Sequence, residues 1–104
     1  DELAMGVLAV LPGLGYRVPD DLAIVGFDDI PIAGLASPAL TTVHQPIRRL
    51  GLEAATLLLA AVEGDATSLT DRLIELPTQL VIRQSCGCPA PSPSTTTTFQ
   101  DRDD

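Results

Sequence analysis

Four groups of residues in this sequence could carry chemistry: the adjacent carboxylates Asp28 and Asp29, the single histidine His44, the thiols Cys86 and Cys88, and the glycines of Gly13-Leu14-Gly15. Paired carboxylates act as acid and base when a nucleophile, a second base or a metal stands beside them, and the sequence around Asp28 offers none. Asp28 and Asp29 are therefore expected to cap and turn the chain after a strand, with contact to a bound ligand by Asp28 as the alternative. His44, Cys86 and Cys88 could be imagined as a three-ligand zinc set, but their separation matches no recognised ligand spacing, and no metal is assigned. The thiols are expected to be ordinary ones just past the last strand, with a redox or intermolecular role as the alternative. The glycine pair leads into a strand instead of linking a strand to a helix, which is the wrong context for a dinucleotide loop, so it reads as a turn. No cofactor is implied, and the chain is not expected to be an enzyme.

The elements that position these residues must be built from aliphatic side chains. Hydrophobic residues make up 45% of the 104 positions, yet aromatics make up only 3%. A chain of this length can bury roughly 60–65% of its unfolded surface, enough for one small core. With 14 acidic residues against 6 basic ones the net charge is −8, which opposes phosphate binding and leaves no basic footprint for direct nucleic-acid contact. The near absence of aromatics also removes the stacking platforms of single-strand binders. The longest apolar run, around Leu57 to Val62, is far shorter than the roughly 18–20 residues that cross a bilayer, and no signal peptide is visible. A soluble segment that makes no use of a membrane is expected. Two cysteines two residues apart fit a reducing cytoplasm better than a disulfide framework.

Along the chain, Leu3, Val7, Leu8 and Leu11 recur at helical spacing and predict a helix that ends at Pro12 and Gly13. Leu22 to Phe27 is an almost unbroken apolar run, predicting a strand buried on both faces, as in parallel sheets covered by helices. Asp29 is expected to cap a short helical turn near Pro31, and Leu40 to Val43 should form a strand because of its β-branched residues. Pro46 suits the first turn of a helix whose stripe is Ile47, Leu50, Ala54, Leu57, Leu58 and Ala61, stopped by Gly64. Gly51 weakens that helix by about 1 kcal/mol relative to Ala unless another backbone packs closely there, which is the expectation. Leu73 to Leu76 and Leu80 to Ile82 read as short strands separated by Pro77. Residues 89–104, rich in Pro, Ser and Thr, are expected to be disordered. Helix, turn, buried strand and polar residues at the strand's carboxyl end give an α/β fold with parallel sheets flanked by helices.

The stretch Gly15-Tyr-Arg-Val-Pro-Asp-Asp-Leu-Ala-Ile-Val-Gly-Phe-Asp-Asp29, followed by Ser37-Pro-Ala-Leu-Thr-Thr-Val-His-Gln-Pro46, closely resembles the C-terminal part of the effector-sensing region of LacI/GalR family transcription regulators. Gly51 and Ala54 also match, and the resemblance runs over roughly residues 1–85. It implies part of a bilobed, periplasmic-binding-protein-like type I fold whose chain crosses between lobes. Residues 1–42 would belong to the C-terminal lobe, 43–76 to the N-terminal lobe and 77–88 to a strand returning to the first. Val43, His44 and Gln45 would form one hinge segment, and Leu76 with Pro77 another.

The resemblance further implies that Asp1 begins a helix facing the interlobe cleft and hydrogen-bonds a small sugar- or nucleobase-like effector, as a carboxylate with several acceptor sites can. A helix-terminal acid satisfied by the helix dipole is the plainer reading of the same residue. Gln45 and Asp28 are the further effector candidates, and Leu35 and Ala36 fall where the family forms its dimer interface. The implied function is effector sensing in a homodimeric regulator that reaches operator DNA through a head outside this segment. A sensor domain fused to a diguanylate cyclase or kinase module is the alternative, followed by a solute-binding protein for transport.

Overall fold

A computed structural model describes residues 1–64 and 73–89 of the chain. Helix α1 spans Glu2–Val10 and passes directly into a 3-10 turn over Leu11–Leu14, which Gly15 closes in the left-handed conformation at φ 84°. Pro12, lacking an amide hydrogen, sits in the first half of that turn, so the α-helix stops where the proline demands it. A second 3-10 turn covers Pro31–Leu35, strand β1 covers Thr42–His44, helix α2 covers Ile47–Val62, and strand β2 covers Gln79–Val81.

Strand β1 is the hub. It pairs antiparallel with β2, with Val43 opposite Leu80 and His44 opposite Gln79. On its other side single parallel bridges join Val25 to Thr41 and Asp28 to His44, through Gly26 N donating to Thr41 O and Asp28 N donating to Val43 O at 2.9 Å each. The run Leu22–Phe27 thus lies extended against the β1 segment but makes bridges instead of a continuous strand. It is also not buried on both faces: Val25 and Phe27 are about half exposed, at 54% and 50%. The sequence carries the hydrophobicity of a central strand, whereas the described residues cover it on one edge only.

The core is small and centres on Leu40 and Ala33, both fully buried, with Leu11 at its margin. Its polar members hold segments far apart in sequence together. Ser85, fully buried, donates through Oγ to Ile24 O at 2.6 Å and accepts from Thr41 N at 2.8 Å, while Ile24 N donates to Ser85 O. Every buried side-chain polar atom among the described residues has a partner, as the cost of an unmade interior hydrogen bond requires.

By contacts, Asp1–Gln45 and the described residues from Thr78 onward form one compact unit, and Pro46–Pro77 forms a second. Around Gly51 a built Cβ meets nothing within 4 Å, so no backbone among the described residues packs against α2 at that point. Two local expectations are corrected. Leu73 to Leu76 forms no strand, and Leu73 is 84% exposed. Asp29 does not cap the turn at Pro31: its N-cap is Ile30, without a side-chain bond, and the Asp29 carboxylate is engaged elsewhere. Except for Pro89, the segment 89–104 lies outside the described residues, as does the region 65–72.

Candidate functional site

The carboxyl end of the Leu22–Phe27 segment, the start of α1 and strand β1 converge on one polar cluster within the first unit. At its centre is Asp1. Its Oδ1 accepts from the Thr42 hydroxyl at 2.6 Å, its Oδ2 accepts from the Ile30 amide at 2.9 Å, and its backbone nitrogen donates to Phe27 O at 2.9 Å. Three elements are tied by one residue: the helix it precedes, the loop after Phe27 and the β1 segment. Gly26 makes room for this, since a Cβ there would collide with the Asp1 carboxylate and press on Leu40 Cδ2 at 3.0 Å. Glycine at this position is required by close approach and not by a turn.

Asp28 and Asp29 follow at positive φ, 113° and 54°. Short polar side chains tolerate that region better than most, at a cost of order 1–3 kcal/mol each. The two carboxylates then diverge. Asp28 Oδ1 accepts from Gln45 Nε2, joining two of the expected effector candidates. Asp29 faces the other way, accepting from Arg83 Nη2 at 2.7 Å through Oδ1 and approaching His44 Nδ1 at 3.1 Å through Oδ2, while its backbone amide reaches Thr42 Oγ1 at 3.3 Å. Arg83 also donates through Nη1 to Leu40 O at 2.9 Å. Asp29 and Arg83 are only 18% and 23% exposed, so this is a half-buried, well-formed ion pair holding the return segment to the loop.

The structure therefore brings Asp1, Asp28 and Gln45 onto neighbouring segments and places Val43 and His44 in β1. Leu76 and Pro77 lie in irregular backbone just before β2, at the second boundary between the contact units. Leu35 is 85% exposed and Ala36 half-buried at the end of the second 3-10 turn. Sequence reasoning missed Gly26, Thr42, Arg83 and Ser85. The only signal for them was their place inside the matched stretches, because their partners lie 13 to 61 positions away. His44 stands with Asp29, and no group of three His, Cys, Asp or Glu side chains suited to a metal exists among the described residues. A shallow surface concavity of about 360 Å³ beside Leu8, Tyr16 and Pro38 shares no residue with the cluster.

Chemically, the cluster contains acceptors and donors already oriented by one another. The hydroxyl of the fully buried Thr42 is already committed to Asp1. A carboxylate has about four lone-pair directions, so Asp1 keeps acceptor capacity after its two bonds to Ile30 and Thr42. The arrangement is built to hold hydrogen-bonding groups in fixed positions, a requirement of recognition.

Comparison with known proteins agrees with that chemistry. Residues 1–86 match the periplasmic binding protein-like domain. The NTD biosynthesis operon regulator NtdR of Bacillus subtilis is 39% identical over 85 residues, covering 82% of this chain and 26% of that protein. A LacI family transcriptional regulator from Enterococcus faecalis, solved with bound ribose, superimposes with a TM-score of 0.70 at 38% identity, covering 82% of this chain and 31% of that one. The lac repressor dimer bound to operator and an anti-inducer gives a TM-score of 0.69 at 31% identity, covering 83% of this chain and 25% of that one. The chain spans about a quarter of the length of the curated relatives it matches. By sequence, by structure and by the extent of the match, this chain belongs to the periplasmic-binding-protein-like domain family, in the form carried by LacI-family transcription regulators.

Proposed function

We propose that this chain supplies part of the effector-binding site of a LacI-type transcription regulator, and that the effector is a small polyhydroxylated or nucleobase-like molecule bound beside Asp1. The observation that carries the reading is the Asp1 carboxylate, fixed by Thr42 and Ile30 at the end of a strand-like segment with Asp28 and Gln45 bonded to each other on the adjoining segments. Ligands of α/β folds bind at such carboxyl ends. A relative with bound ribose supports the sugar class, and the repressor dimer on its operator supports the regulatory output.

In this reading the division of contacts at Gln45/Pro46 and Pro77/Thr78 supports two lobes, with Val43 to Gln45 and Leu76 to Pro77 as hinges. The effector shifts the balance between two lobe arrangements only as far as it binds one better than the other. Operator DNA is contacted by a head outside these residues, in keeping with the net charge of −8 here. Leu35 and Ala36 serve a homodimer interface, and the setting is cytoplasmic. The half-exposed Val25 and Phe27 fit a sheet completed by further polypeptide.

The test is a calorimetric titration of the whole protein with pentoses, hexoses and nucleobases, repeated on Asp1→Ala. Loss of a charge-assisted hydrogen bond of about 1.5–3 kcal/mol should weaken binding roughly ten- to a hundredfold. Unchanged affinity in Asp1→Ala removes Asp1 from the site.

A further inference from the structure

The cysteine pair lies just past Arg83 of the polar cluster, with Cys86 Sγ 3.7 Å from Arg83 O, and it is more than two independent thiols. Cys86 follows the buried Ser85 directly, and the chain then turns through Gly87 in the left-handed conformation at φ 66°, with Cys88 on the far side. The turn folds Cys88 back on its neighbour: its amide donates to Cys86 Sγ at 3.2 Å, and its own Sγ lies 3.9 Å from Cys86 O. Gly87 also sits against Pro19, whose Cβ would be 3.2 Å from any side chain placed there. Cys86 is half-buried and Cys88 exposed, and both are free thiols.

The electrostatics separate the two. The Cys88 thiol, then the Thr41 hydroxyl and the backbone amides, donate toward Cys86 and hold it below the usual thiol range. Cys88, as the donor in that contact, is held above it. A thiolate attacks while a thiol does not, so Cys86, whose sulfur already accepts the Cys88 amide, is the readier nucleophile of the two and Cys88 the reserve. Residues two apart have α-carbons no more than about 7 Å apart even when extended. A turn shortens this into the roughly 4.4–6.8 Å that a disulfide spans.

From this geometry we propose that Cys86 and Cys88 form a covalent modification site for low-molecular-weight disulfides, with Cys86 attacking and Cys88 resolving. The Cys86 thiolate displaces one thiolate from a small disulfide and forms a mixed disulfide at its own sulfur. Cys88, after losing its proton to solvent, attacks Cys86 Sγ and expels the second thiolate. The two leaving groups take up the two protons given up by the cysteines. The chain is oxidised by two electrons, and one small disulfide is reduced to two thiols. The product ring is small and lies at the surface, the class of disulfide that thiols readily reopen.

The experiment incubates the full chain with oxidised glutathione at neutral pH and follows intact mass. The wild type should finish two hydrogens lighter without a lasting adduct. Cys88→Ser should stop at a single glutathione adduct mapped to Cys86, and Cys86→Ser should form its adduct several-fold more slowly. On the unmodified chain, alkylation by iodoacetamide across a pH series, read by peptide mass spectrometry, should reach half its maximal rate at lower pH for Cys86 than for Cys88. Stable adducts on both thiols of the wild type, or the reverse order of alkylation, would overturn the proposal.

Discussion

Asp1 joins the start of α1 to the loop after Phe27 and to β1 through two carboxylate bonds, and Gly26 leaves the space in which this happens. Gly26→Ala is therefore expected to push the Asp1 carboxylate aside and destabilise the fold by about 1–3 kcal/mol, the usual penalty for an intruding methyl group. Effector affinity should fall with it in calorimetry. Ion pairs provide a contrast. Arg83→Ala strips a half-buried Asp29 of its charge-assisted hydrogen bond and should cost about 2 kcal/mol in denaturant unfolding. Arg17→Ala breaks an exposed pair four residues apart, with Arg17 74% exposed, and should leave the denaturant midpoint almost unchanged.

The Arg17 contact still leaves a titration signature. Its backbone amide and then its side chain bond Asp21 and hold that carboxyl below the usual carboxylate range. A depressed carboxyl adds stability above its unfolded pKa and loses it as pH falls through the folded one. By carbon chemical shift, Asp21 should thus titrate at lower pH than exposed aspartates, moving partly upward in Arg17→Ala, since the backbone bond survives.

At the scale of elements, periodicity located both α-helices within a residue or two, because the spacing of Leu3, Val7 and Leu11, and of Ile47, Leu50, Ala54 and Leu57, is a local property. Strands were harder. Leu22 to Phe27 has the composition of a central strand, but a central strand pairs along both edges, and among the described residues it meets only the β1 segment, through isolated bridges, and Ser85. Leu73 to Leu76 likewise has β-forming residues and no ladder. Of the site, Asp28 was legible as a polar residue at the end of an apolar run, and Asp1 and Gln45 were pointed to by the family resemblance alone, whereas Arg83 and Ser85 act across more than 40 positions and left no local trace. Helix α2 gives a test of its own. A Cβ on Gly51 meets nothing within 4 Å, so Gly51→Ala should raise stability by about 1 kcal/mol in thermal unfolding. A decrease would mean that backbone outside the described residues packs there.

For the whole molecule, the two contact units meet the sequence boundaries Gln45/Pro46 and Pro77/Thr78, and the polar cluster ends at the first of them. An effector held by Asp1, whose partner Thr42 lies in β1, would therefore act within a few residues of the point where the chain leaves the first unit. No helix among the described residues is long and apolar enough to cross a membrane. Leu3, Phe27 and Leu35 are exposed apolar positions on a chain of net charge −8. Hydrogen exchange of the whole protein, with and without a saturating sugar or nucleobase found by titration, tests the effector site at Asp1 most directly. Amides 26–30 and 41–45 should exchange more slowly in the complex, and a saturating ligand that leaves both stretches unchanged would contradict the account.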